Sequence, residues 1–278
     1  MAAQVRDLPT HLLRRAILGF ALIAPIFTVL FYRTNALIAL GVLFLSHILL
    51  LYPTLVPNSQ WWGPVITSFE TSRPQVWITV DDGPDAFHTS KVLDILDRFR
   101  ARATFFVIGK RIAEIPELTR DITLRGHQIA NHTFNHPSRS FWVFLPGAIA
   151  REIDQCSAEI IRSTQTIAKY FRAPAGLKNF FVHPIVARRD LQLVGWTVRG
   201  LDTVRRSPEA VAERIGRKTR PGAIVLLHEG HRTANNPEFH LKCLELTLSK
   251  LAERGYEFVI PAPEQLRPHV AGKRTDNC

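Results

Sequence analysis

Apolar positions follow two regimes along this chain. Residues 16–32 and 36–57 are nearly unbroken apolar runs, separated only by Arg33, Thr34 and Asn35. A helix needs roughly 20 such residues to span a bilayer. The second run meets that length, while the first is shorter and carries Pro25, which a membrane helix tolerates. Neither run has the polar face that would keep a helical hairpin in water. A cleaved signal peptide fits the first run poorly, because no small-residue cleavage pattern precedes the next apolar run. The pattern therefore predicts a two-helix transmembrane hairpin within residues 1–57, then a juxtamembrane linker over 58–74 with little periodicity.

Beyond the linker, short apolar runs alternate with amphipathic ones. Strands are expected at 75–80, 103–108, 128–130, 170–172, 192–198, 223–227 and 256–260. The first ends in a sharp break at Asp81-Asp82-Gly83-Pro84-Asp85. A helix follows, capped by Thr89 or Ser90, with Val92, Leu93, Ile95, Leu96 and Phe99 on one face. Further helices are expected at 116–124, 148–168, 207–218 and 237–254. Strands alternating with helices imply a parallel α/β sheet or barrel over 75–262, leaving 263–278 as a tail. Active sites in such folds are built from loops at the carboxyl ends of strands, where the chemically loaded residues of this chain fall.

Charge and cysteine usage refine the picture. The 278-residue chain carries a formal charge of +11. Such a balance suits anionic lipid, an anionic substrate or nucleic acid. No zinc finger, RNA-binding signature or dense Lys/Arg run is present, so nucleic acid is not an expected partner. Cys156, Cys243 and Cys278 form no CxxC pair, and their odd number argues against a disulfide framework. Arg6, Arg14 and Arg15 precede the first apolar run, and only Arg33 lies between the two, which places the N-terminus in the cytoplasm. If both runs cross, the domain after residue 57 is cytoplasmic too, at an inner membrane. If only the second crosses, the domain lies on the far side.

Four constellations carry chemistry. In Thr79-Val80-Asp81-Asp82-Gly83-Pro84, one carboxylate can ligate a metal while its neighbour acts as a base. In His132-Thr133-Phe134-Asn135-His136, two histidines four apart suit a metal, and Gly126 and Pro137 argue against a long helix around them. With Asp82 they make a two-His, one-carboxylate set with positions left for water and substrate. Arg172, at a strand end in Phe171-Arg172-Ala173-Pro174-Ala175-Gly176, can pair with a buried carboxylate. His228 ends the apolar strand Ile224-Val225-Leu226-Leu227 and can protonate a leaving amine.

Taken in order, these motifs resemble the polysaccharide deacetylase family, or NodB-homology domain, from about Gln75 to Ile260. The stretches from Thr79 to Asp85, Thr89 to Leu96 and Ala103 to Gly109 are especially similar. The resemblance implies a distorted, incomplete (β/α) barrel and a metal-dependent hydrolase removing an acetyl or formyl group from an amino sugar. By the same resemblance Asp81 is the catalytic base, and Asp82, His132 and His136 ligate a divalent metal ion, with Zn²⁺ expected. Arg172 orients Asp81, Pro174 and Gly176 shape the groove, His228 is the catalytic acid and Asp202 tunes it. The chain departs from the family at Arg199, where an acid is usual, and at Thr203, where Trp is usual. Three functions follow as alternatives. The first is deacylation of a lipid-linked sugar, such as a polyprenyl-phosphate precursor, by a membrane-bound enzyme facing the cytoplasm. The second is outward-facing deacetylation of peptidoglycan or poly-N-acetylglucosamine. The third is an inactive sugar-binding membrane protein.

Overall fold

The computed structural model describes residues 10–204, 207–230 and 237–266. Cys278, Arg6 and most of the expected tail lie outside them. Two helices, α1 (Thr10–Phe31) and α2 (Ala36–Leu55), are joined by a four-residue turn and pack antiparallel. Asn35 caps α2 by accepting from Ile38 N at 3.1 Å. Ala24 and Ala39, both fully buried, let the helices approach closely, and Thr28 Oγ1 donates across to the Ala39 carbonyl at 3.0 Å. The outward faces are apolar and bare: Leu22, Val29 and Leu37 are 74%, 79% and 86% exposed. Each helix is long and apolar enough to cross a membrane.

The remainder is a curled, all-parallel sheet wrapped by helices. Its elements run β1 (Gln75–Gly83), α3 (Thr89–Arg98), β2 (Ala103–Val107), α4 (Gly109–Glu114), α5 (Pro116–Leu124), β3 (Gln128–Asn131), α6 (Pro146–Thr164) and β4 (Tyr170–Phe171). They continue α7 (Val182–Ala187), β5 (Gln192–Leu193), β6 (Val198–Arg199), α8 (Pro208–Lys218), β7 (Ala223–His228), α9 (Phe239–Glu253) and β8 (Glu257–Phe258). The strand order is β5-β4-β3-β2-β1-β7-β6, with β8 beside the start of β1. The expected 192–198 strand is thus two short strands at opposite edges, β5 on β4 and β6 on β7. The residues between them span the gap of the incomplete barrel.

The segment expected as a linker fills that gap. Ile66 bridges to Val194, Ser68 bridges to Ala223, and Trp62, Val65, Ile66 and Phe69 are buried. Alternation along β1 divides the core in two. Val76, Ile78 and Val80 face the helices, while Trp77 faces the barrel interior with Phe106, Tyr170, Ile66 and Phe69. The hairpin is seated on the same segment. Trp62 Nε1 donates to Thr54 Oγ1 at 3.2 Å, and buried Lys178 donates to the Pro57 carbonyl. Asn58 Nδ2 donates to the Trp196 carbonyl at 2.8 Å. Hairpin and domain are therefore joined by packed contacts.

At the start of α3 the expected capping by Thr89 or Ser90 is replaced. Asp85 Oδ1 accepts from the Phe87 and His88 amides, each at 3.0 Å, which frees the Thr89 hydroxyl to donate to Glu229 Oε2 at 3.0 Å.

Candidate active site

On a regular strand Asp81 and Asp82 would point to opposite faces. Here β1 bulges: Asp81 pairs with Phe106 but Gly83 with the next residue, Val107, so Asp82 is the extra residue. Its left-handed backbone, φ 72°, turns its carboxylate back toward the cleft. Both acids are almost wholly buried. Gly83 is required beside them, because a Cβ there would lie 1.9 Å from Glu229 Oε1.

The two histidines arrive on the loop after β3. Thr133 and His136 both adopt positive φ, 69° and 52°, so the segment is a tight loop and no helix. Asn131 fixes its start by accepting from Thr133 N at 2.9 Å and donating to the Ile153 carbonyl at 2.8 Å. Buried Glu152 on α6 fixes its centre, accepting from Phe134 N at 3.0 Å and Asn135 N at 2.8 Å. His132 Nδ1 lies 2.8 Å from the Arg172 carbonyl. A carbonyl only accepts, so Nδ1 carries the proton and Nε2 turns a lone pair into the cleft. His132 Nε2 is 3.4 Å and His136 Nε2 3.1 Å from Asp82 Oδ1. One donor atom from each residue lies within 4.8 Å of the others.

Arg172 leaves β4 buried beneath this group. Nη1 donates to Asp81 Oδ1 at 2.5 Å and to Thr79 Oγ1 at 3.0 Å, while Nη2 donates to the Gly195 carbonyl at 2.8 Å. Its guanidinium lies 4.0 Å above the Phe106 ring. The ion pair occupies Oδ1 of Asp81 and leaves Oδ2 near His132 Nε2, at 3.7 Å.

Across the cleft, His228 ends β7. Asp202 holds it twice, accepting from His228 N at 2.8 Å through Oδ2 and contacting Nδ1 at 3.0 Å through Oδ1. Burial presses the imidazole down, and the Asp202 carboxylate overrides it, leaving the pKa pushed up to about 9. Burial likewise opposes ionisation of Asp202, yet His228 and His240 hold its carboxyl below the usual range. His240 Nδ1, from α9, stands 3.7 Å from Asp202 Oδ2. Asp81, Asp82, His132, His136, Asp202 and His228 line one cleft of about 290 Å³, with Gly176, Trp196 and Arg199 on its walls. The seven residues expected to bind metal or act in catalysis converge here, Arg172 from beneath.

Sequence reasoning passed over Glu152 and Glu229. Glu152 interrupts the apolar stripe Ile149, Ile153, Cys156, Ile160 of α6, a signal of a buried acid with partners. Glu229 is fully buried, burial pushes its carboxyl up to about 8, and it holds a proton at neutral pH. Cys156 and Cys243 are buried and unpaired, and burial raises both thiols, so neither is a ready nucleophile.

Comparison with known proteins gives the family and the fold. The family model for polysaccharide deacetylases matches residues 69–194. A chitooligosaccharide deacetylase of Bradyrhizobium sp. (strain ANU 289) is 37% identical over 189 residues, 67% of this chain and 83% of that protein. A peptidoglycan-N-acetylglucosamine deacetylase of Bacillus cereus is 30% identical over 205 residues, 71% of this chain and 91% of that protein. Among solved structures, a family 4 carbohydrate esterase from Streptomyces lividans superposes with TM-score 0.62 at 26% identity, over 70% of this chain and 97% of that one. A mutant family 4 pseudoenzyme with restored activity superposes with TM-score 0.61 at 26% identity, over 69% of this chain and 67% of that one.

Proposed function

Because this chain belongs to the polysaccharide deacetylase family, we propose that it is a metal-dependent hydrolase that removes an N-acyl group from an amino sugar carried on a membrane lipid. The observation that carries the reading is the single cleft holding a two-His, one-carboxylate cluster, an Arg-paired Asp81 and an Asp-paired His228. The donor set fits a divalent cation: two imidazole nitrogens and a carboxylate oxygen converge, and His132 is held in the tautomer that ligation requires. Asp82, His132 and His136 would hold it, and Zn²⁺ suits such donors. Bound there, the ion would polarise the amide carbonyl and make water more acidic.

The protein's own groups do the rest. Asp81 takes the proton of the attacking water through Oδ2, because Arg172 occupies Oδ1. His228 is protonated at neutral pH and gives its proton to the departing sugar amine, which is a poor leaving group until protonated. Asp202 fixes the ring and sustains that charge.

The hairpin supports a lipid-linked substrate. Its outward faces are apolar, its foot is tied to the cleft-wall residue Trp196, and Arg14 and Arg15 lie at the end that meets the domain. That arrangement favours an inner-membrane enzyme with its cleft at the cytoplasmic surface. A second reading is an outward-facing deacetylase of peptidoglycan or poly-N-acetylglucosamine, and the name of the Bacillus cereus relative supports its peptidoglycan form.

The test is bound metal and amine release by the purified protein beside Asp82→Ala and Asp81→Asn. Each is given a short N-acetylglucosamine oligomer and a polyprenyl-phosphate-linked N-acetyl sugar. Asp82→Ala should lose metal and activity together. Asp81→Asn should keep the metal and lose about 10²–10⁴-fold in rate. Release from the oligomer alone would establish the second reading. A wild-type protein that binds no metal would overturn the hydrolytic mechanism.

A further inference from the structure

The acids of the cleft are already engaged: Asp81 with Arg172, Asp82 with the two histidines, and Asp202 with His228. Arg199 lines the same cleft from β6 and is exposed. Its backbone is fixed, the carbonyl accepting from Arg214 Nε at 3.1 Å. Its guanidinium stands 5.8 Å from the Trp196 ring centre, and no carboxylate among the described residues pairs with it. Among the described residues, the cleft wall therefore carries a positive charge with no carboxylate paired to it. A neutral N-acyl sugar offers nothing that needs a guanidinium, whereas a phosphate matches its planar fork of donors.

The surroundings of Arg199 narrow the ligand. Leu201 and Val204 line the same wall, and Val204 is 75% exposed. Cation and apolar rim are adjacent, as they must be for a phosphate that continues into a hydrocarbon. The Trp196 carbonyl accepts from Asn58, and a Cβ on Gly176 would lie 2.5 Å from Pro57 Cβ and 2.7 Å from the Trp196 ring. Pro57 and Asn58 follow directly on α2, so this wall is continuous with the foot of the apolar hairpin.

We propose that Arg199 is a specificity-determining residue that binds the phosphate of an N-acyl amino sugar esterified at that phosphate to an apolar chain, with Leu201 and Val204 receiving the start of the chain. The inference rests on the deacylase reading and adds the anionic group. The phosphate could come from a lipid carrier or from a soluble sugar phosphate, and the substrates of the test separate them.

The test compares wild type, Arg199→Gln, Arg199→Lys and Val204→Asn on three substrates. These are an N-acetylglucosamine oligomer, the same oligomer with a 1-phosphate, and polyprenyl-phosphate-linked N-acetylglucosamine in detergent micelles. Arg199→Gln should lower the ratio of kcat/KM for either phosphate-bearing substrate over the neutral one by about tenfold or more, acting mainly through KM. Arg199→Lys should recover part of it. Val204→Asn should weaken only the polyprenyl substrate, and an equal effect on the soluble phosphate would assign the site to a soluble sugar phosphate and overturn the lipid part. A ratio unchanged in Arg199→Gln would overturn the whole inference. Binding of N-acetylglucosamine 1-phosphate by calorimetry is read separately. If wild type turns over nothing, the deacylase reading fails, and binding that is equal in wild type and Arg199→Gln then removes the phosphate site as well.

Discussion

Replacing Asp202 with Asn isolates the electrostatic part of the proposed acid. The amide retains one acceptor beside His228 but removes the charge that holds the imidazole at about 9 against an ordinary 6.5. That difference corresponds to about 3 kcal/mol of preference for the charged ring, and the side chain is only 18% exposed, so little of it is screened. Without the Asp202 charge, burial works against only the weaker pull of Asp82 and Asp81, and the ring pKa falls toward the ordinary value. At pH 8 a ring of pKa about 9 is ~90% protonated and one of about 6.5 is ~3%, so the variant should lose about 30-fold in rate. At pH 6 both rings are mostly protonated, and the rates should converge. The assay is amine release across pH 5–10, with the His228 ring followed by NMR in ring-labelled protein, which needs no substrate. An alkaline limb of Asp202→Asn that coincides with wild type would refute the role given to Asp202 and His228. Stability should change in the same window. The raised His228 pKa contributes stability that is complete below about 6.5 and lost as pH rises through about 9. The lowered Asp202 pKa contributes stability that is complete above about 3.8 and lost as pH falls through its depressed value. Wild type should therefore exceed the variant most between these limits.

Two further outcomes test the supports of the site. Glu152→Gln keeps one oxygen for the Phe134 and Asn135 amides but replaces their charged acceptor and sets an amide donor against Asn135 Nδ2 in the loop between His132 and His136; metal affinity should fall about 10- to 100-fold in a chelator competition, and an unchanged affinity would mean the loop holds itself. Gly176→Ala places a Cβ against Pro57 and Trp196 at a φ of 73°, and should cost about 1–3 kcal/mol in denaturant unfolding, whereas a neutral result would mean that hairpin foot and cleft move independently.

Much of the fold is legible in the chain because β1, β2 and β7 are buried on both faces and read as continuous apolar runs. The break between β5 and β6 is not, since residues 192–198 read as one strand and part only because barrel closure sends the two ends to opposite edges. The segment 58–74 is unreadable for a related reason: its buried residues make single bridges, and single bridges leave no periodicity. At the site, residue types and order point to Asp81, Asp82, His132, His136, Arg172 and His228, and the family resemblance adds Asp202. The bulge that brings adjacent carboxylates to one side has no local signature beyond Gly83, because it arises from pairing with β2.

The stave formed by residues 64–69 also sets an order of events in folding. It is synthesised before any strand of the sheet, yet its partners are Val194 and Ala223, far later in the chain. Contacts of such sequence separation are slow to form, because the loop must close before they contribute. Until Ala223 is made and docked, Trp77 and Phe106 have no lid, and a large aromatic surface stays open to chance association. A hairpin held in a membrane, as proposed above, would keep that half-built barrel in place and apart from its neighbours while it waits.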